Sequence, residues 1–212
     1  MLAKWYVFMY KKVVSAIALL PFFMVSNVNL TANHSNSVNT ISNLWMAPAE
    51  AVQLRDGKTY FVQLPTFLEA ETTINRIYAW GATYYFAIAL PKNMGEPLQS
   101  LEIFQAEGFD TVDFFLNDTV AYLQPTSGDR INILSKTEIL PNQDKRKLTV
   151  TFDPPIPANN EINSKLIVGL RPVRNPRYDG VYLFGVSASP QGDRPNSQFL
   201  GYGRLHFYNL RR

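Results

Sequence analysis

Lys147-Leu148-Thr149-Val150-Thr151-Phe152 alternates polar and apolar side chains at every step. Successive side chains of an extended chain point to opposite faces, so Leu148, Val150 and Phe152 share one face and Lys147, Thr149 and Thr151 the other. That is the pattern of a half-buried antiparallel strand. In the segment that follows, Asp153-Pro154-Pro155-Ile156-Pro157, the prolines remove ladder donors, which predicts a crossing between sheets rather than a central strand. Similar short runs rich in Val, Ile, Phe, Tyr and Thr recur on both sides. They predict strands at Thr59 to Leu64, Asn75 to Trp80, Tyr84 to Leu90, Leu98 to Gln105, Val112 to Leu116, Val120 to Leu123, Ser164 to Leu170, Val181 to Ser187 and Phe199 to Tyr208. Asp56-Gly57, Asn142-Gln143-Asp144 and Asp179-Gly180 supply residues tolerant of positive φ for tight turns. Helical pieces are conceivable only at Thr66 to Thr73 and Gly95 to Ser100, both short and poorly patterned. The expected fold is all-β: a single antiparallel, immunoglobulin-like β-sandwich of about seven to ten strands over residues 52–212. Its inward side chains are expected to be Phe61, Trp80, Tyr85, Ile103, Phe115, Val150, Phe152, Ile167, Tyr182, Phe184, Leu205 and Phe207.

Composition agrees with one such domain. The 212 residues are 46% hydrophobic and 17% charged, with 14 Pro, 11 Gly and no Cys. Disulfide frameworks, thiolate nucleophiles and cysteine-ligated metal centres are therefore excluded. Of the net charge of +3, Lys4, Lys11 and Lys12 lie at the N-terminus, and from Val52 onward 17 basic residues face 16 acidic ones. A domain so nearly balanced has no general attraction for nucleic acid.

Lys11-Lys12 precede the apolar run Val13 to Val25, which Pro21 interrupts. That run is shorter than the roughly 20 residues a membrane-spanning helix needs, and it has the form of an export signal. Residues 1–25 are thus read as an export signal or a membrane-proximal anchor, and residues 26–51, rich in Ser and Asn, as a leader or linker too polar to fold alone. Small-residue cleavage motifs occur at Ala47-Pro48-Ala49 and Ala49-Glu50-Ala51, unusually far from the apolar run. Processing near Ala32, a later true start and an uncleaved anchor all remain open. Contact with a membrane is expected only through such an uncleaved segment.

Chemistry-bearing clusters are few. After the leader the sole histidine is His206, on the polar face of a predicted strand beside Arg204 and without a Gly-x-Ser-x-Gly elbow. Gly201-Tyr202-Gly203 fails the dinucleotide fingerprint because His206 stands where Gly or Ala is needed. Glu69 with Glu71, and Asp110 with Asp113, are the candidate carboxylate pairs, and each reads first as a solvated face. Asp110, Asp113, Asn117 and Asp118 lack the alternating spacing of a strong calcium loop. No catalytic residue, metal site or cofactor is assigned. The densest unusual segment is Arg171-Pro172-Val173-Arg174-Asn175-Pro176-Arg177-Tyr178-Asp179-Gly180. Guanidinium forks on a proline-stiffened loop suit carboxylate or phosphate groups, which makes Arg171, Arg174, Asn175, Arg177 and Tyr178 the candidate binding residues. Alternatively the arginines pair with Asp179 or nearby carbonyls and stack on Tyr178 to fix the loop.

Seven ordered segments carry a family resemblance: Val52-Gln-Leu-Arg-Asp-Gly57, Trp80-Gly-Ala-Thr-Tyr-Tyr-Phe86, Gly95-Glu-Pro-Leu-Gln99, Phe152-Asp-Pro-Pro155, Arg171-Pro-Val-Arg-Asn-Pro176, Gly180-Val-Tyr-Leu-Phe-Gly185 and Phe199 to Tyr208. Together they resemble a cyanobacterial domain-of-unknown-function family, number 2808, across nearly all of Val52 to Tyr208. The resemblance implies an exported, envelope-associated protein with no assigned activity, and cleavage after Ala51. The expected function is a non-enzymatic periplasmic or envelope module that binds an envelope protein or an anionic cell-wall polymer. A carboxylate-based carbohydrate-active enzyme is the alternative.

Overall fold

The computed structural model describes residues 57–126, 129–139, 146–159 and 164–209. The segments 1–25 and 26–51 and the turn at Asn142 to Asp144 lie outside the described residues. Among the described residues, ten strands form two antiparallel sheets. The first holds β1 (Thr66–Thr72), β2 (Tyr84–Leu90), β8 (Ser164–Leu170), β4 (Val120–Pro125) and β5 (Ile131–Ile133), in that order. In the second the order is β10 (Gln198–Phe207), β9 (Gly180–Pro190), β3 (Leu98–Glu107), β7 (Lys147–Ile156) and β6 (Ser135–Glu138).

Period-two alternation supplies the core. From the first sheet Tyr84, Phe86, Ile88 and Leu90 lie in register with Leu170, Val168, Leu166 and Ser164. They face Leu101, Ile103, Leu148, Val150, Phe152, Tyr182, Phe184, Val186, Leu205 and Phe207 of the second. Tyr84, Phe86, Phe114 and Phe184 meet edge to face at 5.7–6.3 Å, the arrangement that ring quadrupoles favour. Fully buried side chains such as Phe86 and Phe184 contribute about 1.5–3 kcal/mol each, so the core holds the domain without a disulfide. The protein is an antiparallel β-sandwich of two five-stranded sheets.

Several sequence expectations are corrected. Thr59 to Leu64 is not a strand. Thr59 makes a single bridge to Pro195, and Val62 N donates to Met94 O as the chain caps one end of the sandwich. Thr66 to Thr73, conceivable as helix, is instead strand β1, whose bulge between Phe67 and Glu69 scrambles the alternation. Asn75 to Trp80 and Val112 to Leu116 are loops, the latter running into a 3₁₀ turn at Leu116–Asp118. Gly95 to Ser100 is not helical: it turns into β3. The segment Asp153 to Ile156 does not cross between sheets but extends β7. Its prolines are tolerated because the β3 pairing jumps from Thr151 to Ile156, while β6 pairing ends at Phe152.

Among the side chains expected inward, four are not. Trp80 is 66% exposed, Phe115 sits in the loop before the 3₁₀ turn with its ring outward, and Tyr85 yields the inward place to Tyr84. Ile167 is buried, yet on the outer face, because Leu166, Val168 and Leu170 take the inner one. On β10 a bulge between Phe199 and Gly201 (φ +150) turns Phe199 and Tyr202 out together, with ring centroids 4.8 Å apart. Two positions further on, Gly203 is buried where β10 meets β1: a Cβ there would lie 2.6 Å from the Ala70 methyl.

Candidate functional site

Three loops converge at the end of the sandwich where β10 finishes: 73–83 between β1 and β2, 108–119 between β3 and β4, and 171–179 between β8 and β9. Asn175 ties two of them together. Its side chain is 1% exposed, Nδ2 donates to Ile74 O (2.8 Å) and Arg76 O (2.9 Å), and Oδ1 accepts from the Tyr84 hydroxyl (2.9 Å). Its backbone N donates to Ala79 O at 2.8 Å. Asn175 was expected among the ligand-facing residues. Instead it is the staple behind them, because a buried carboxamide can satisfy three partners at once. Gln105 plays the same part for the third loop, donating to Asp110 O and accepting from Val112 N.

Each arginine of the segment has a different environment. Arg171 pairs with Asp118 at 3.0 Å and lies 5.7 Å over the Phe115 ring. Arg177 grips Asp110 with a fork, Nε to Oδ2 at 3.1 Å and a terminal nitrogen to Oδ1 at 3.0 Å, while its backbone N adds a third bond. These hydrogen bonds hold the Asp110 carboxyl below its ordinary pKa and raise that of Arg177. Arg174 has no carboxylate in ion-pair range among the described residues. It is stacked on Tyr78 (5.5 Å) and Trp80 (5.9 Å) instead. Asp179, expected as an arginine partner, accepts none of the ion pairs found among the described residues.

Sequence reasoning missed Tyr78 and Trp80, reading their segment as a strand. Tyr78 adopts φ +57, the one positive value among the described non-glycine residues. Its backbone N donates to Pro176 O at 3.0 Å, so the two loops hold it there. A bulky residue in the left-handed region is uncommon and collects at functional sites. Tyr178 lies beside Arg177 at 5.8 Å, and its carbonyl accepts from the Tyr182 hydroxyl, whose pKa burial pushes up to about 12. Phe109, 81% exposed, continues the aromatic surface. His206 is exposed on β10 and stacks on Tyr208. Glu69 and Glu71 point outward from β1 opposite Ala87 and Tyr85.

Residues 58–207 match the family described as Protein of unknown function (DUF2808). The chain belongs to that family. No curated protein matches the sequence. Among solved structures, the DUF2808 chain is similar to the pilus 2b backbone protein of group B streptococcus, with 10% identity, 63% of this chain and 56% of that one covered, and a TM-score of 0.41. It thus spans little more than half of the pilus protein's length. It is also similar to the collagen-binding domain of a Staphylococcus aureus adhesin, with 10% identity, 60% and 87% covered and a TM-score of 0.34. For the collagen-binding subdomain of the Enterococcus faecalis surface protein ACE the figures are 9%, 69% and 96%, with a TM-score of 0.37.

Proposed function

We propose that this DUF2808 chain is an exported, non-enzymatic envelope module that binds an anionic group of a cell-wall polymer or protein partner through the surface around Arg174. The observation that carries the reading is the contrast among the arginines: Arg171 and Arg177 are neutralised by Asp118 and Asp110, whereas Arg174 rests on two exposed aromatic rings. A guanidinium so placed is oriented by stacking yet keeps its donor fork for an incoming carboxylate or phosphate. The strained backbone of Tyr78 supports the same position. Export rests on the basic and apolar pattern of residues 1–25. The enzymatic alternative gains nothing from Asp110, because a carboxylate held ionised by an arginine fork is poorly placed to act as a general acid.

The test measures binding of polygalacturonate and of poly-L-glutamate to the protein and to Arg174→Ala, at low and high salt. Weaker binding of the variant at unchanged thermal stability, with the difference shrinking at high salt, supports the reading. Equal binding by the two proteins, or a fall in stability that accounts for the loss, rejects it.

A further inference from the structure

Beside Arg174 runs an open groove of about 720 Å³ between the 73–83 and 171–179 loops. Arg76, Tyr78, Arg177, Tyr178, Asp179 and Asn209 line it, and it adjoins a cleft under Phe109 that shares Tyr178 and Asp179. Its volume lies within the range of small-molecule sites. Each of the two loops contributes a tyrosine, Tyr78 and Tyr178, and the lining holds both donors, Arg76 and Arg177, and an acceptor, Asp179. The fixed anion-seeking group, Arg174, sits just outside, on the Tyr78 ring.

We propose that this groove is a saccharide subsite, so that the polymer taken at Arg174 is a glycan carrying carboxylate groups. The proposal rests on the reading of Arg174 as an anion site and adds the class of ligand. A sugar ring has an apolar C–H face and a rim of hydroxyls. Tyr78 and Tyr178 offer apolar ring surface for the first. For the second, Asp179 accepts from hydroxyls while Arg76 and Arg177 donate to them. A bare polyanion fits less well, since it leaves both tyrosines without a role. An anionic lipid headgroup leaves them without a role as well. A carboxylated glycan uses every element: ring faces on tyrosine, hydroxyls at the rim, and one carboxylate on Arg174.

The experiment titrates the full chain with trigalacturonate, with neutral maltotriose and with tri-L-glutamate, using wild type, Arg174→Ala, Tyr178→Ala and Tyr178→Phe. Trigalacturonate should bind tightest. Its affinity should fall about tenfold in Tyr178→Ala, the scale of a lost aromatic contact, and recover in Tyr178→Phe. Tri-L-glutamate should respond to Arg174→Ala alone. If trigalacturonate and tri-L-glutamate bind equally and neither senses Tyr178, the saccharide subsite is overturned while the anion site stands. If Arg174→Ala changes neither anionic ligand, the anion site itself fails, and the subsite proposal with it. Tyr178 is half exposed and its hydrogen bond is made by the backbone carbonyl, so folding of these variants is not in question. Phosphatidylglycerol vesicles that bind more tightly than trigalacturonate, with the binding surviving Tyr178→Ala, would also overturn it.

Discussion

Replacing Asn175 by Ala isolates the contact on which the candidate site depends. The substitution leaves the backbone bond to Ala79 and removes three side-chain bonds, to Ile74, Arg76 and Tyr84. The two loop carbonyls are partly exposed and can regain water, so each loss is of the order of 1 kcal/mol. The Tyr84 hydroxyl cannot. Tyr84 is 0% exposed, and burial already holds its pKa far above the usual tyrosine value. Leaving that donor unpaired costs about 1–3 kcal/mol, which brings the expected destabilisation to about 3–5 kcal/mol. With a urea m-value of about 2 kcal/mol/M, the unfolding midpoint should drop by about 1.5–2.5 M. Tyr84→Phe should cost less, and the Asn175→Ala, Tyr84→Phe double variant should be more stable than the two separate losses imply, by about 1–2 kcal/mol. A midpoint shift worth less than about 1 kcal/mol, or strict additivity in the double variant, would refute the account of Asn175 as a buried staple.

Three further outcomes are expected. The Asp110 carboxyl is held below its ordinary pKa by Arg177, so the unfolded chain takes up that proton first as pH falls. The Arg177 pairing thus supports the fold fully above about pH 4 and loses its effect as pH drops through the lower folded-state value. Thermal melts from pH 5 to pH 2 should therefore be flatter for Asp110→Asn than for wild type. Gly203→Ala should lower the melting temperature by a few degrees, because the new methyl meets Ala70 at 2.6 Å and costs about 1–3 kcal/mol. Adding Ala70→Gly should restore part of that loss. In a chain carrying Trp5→Phe and Trp45→Phe, Trp80 is the only tryptophan left. Its emission should be red-shifted in the unliganded protein and move to the blue on binding of trigalacturonate. An unmoved spectrum at saturation would place the ligand elsewhere.

What the sequence revealed and what it hid follow from the same period of two. β2 and β8 were readable to the residue because both lie inside a sheet as unbroken apolar runs bounded by turn residues. β1 was hidden by its bulge, and the outward turn of Phe199 by another, since one extra residue inverts every face assignment beyond it. β5 and β6 are three and four residues long, too short for a pattern to register. The arginine segment stood out by composition alone. Its partners did not, because Asp110 lies 67 residues away from Arg177, and Ile74 101 from Asn175. Nothing local marks Asn175 as buried either: an amide in a proline-rich loop looks like a surface residue until Tyr84 is brought beneath it.

The way β10 spans the sandwich has a mechanical consequence. Thr59 pairs with Pro195 just before β10 begins, and Tyr208 pairs with Arg76 just after it ends. The chain therefore enters the domain at one pole, and the arginine loops stand at the other. Ten residues of strand separate the two, about 33 Å. If the chain upstream of Gly57 is fixed to a surface while a polymer is held at Arg174, tension between them runs along the strands. Load in that direction is shared by many ladder hydrogen bonds of β9 and β10 in parallel, whereas a pull across the sheet would open them one after another. A domain strung in this way would resist force in shear along the very line that joins its attachment to its ligand.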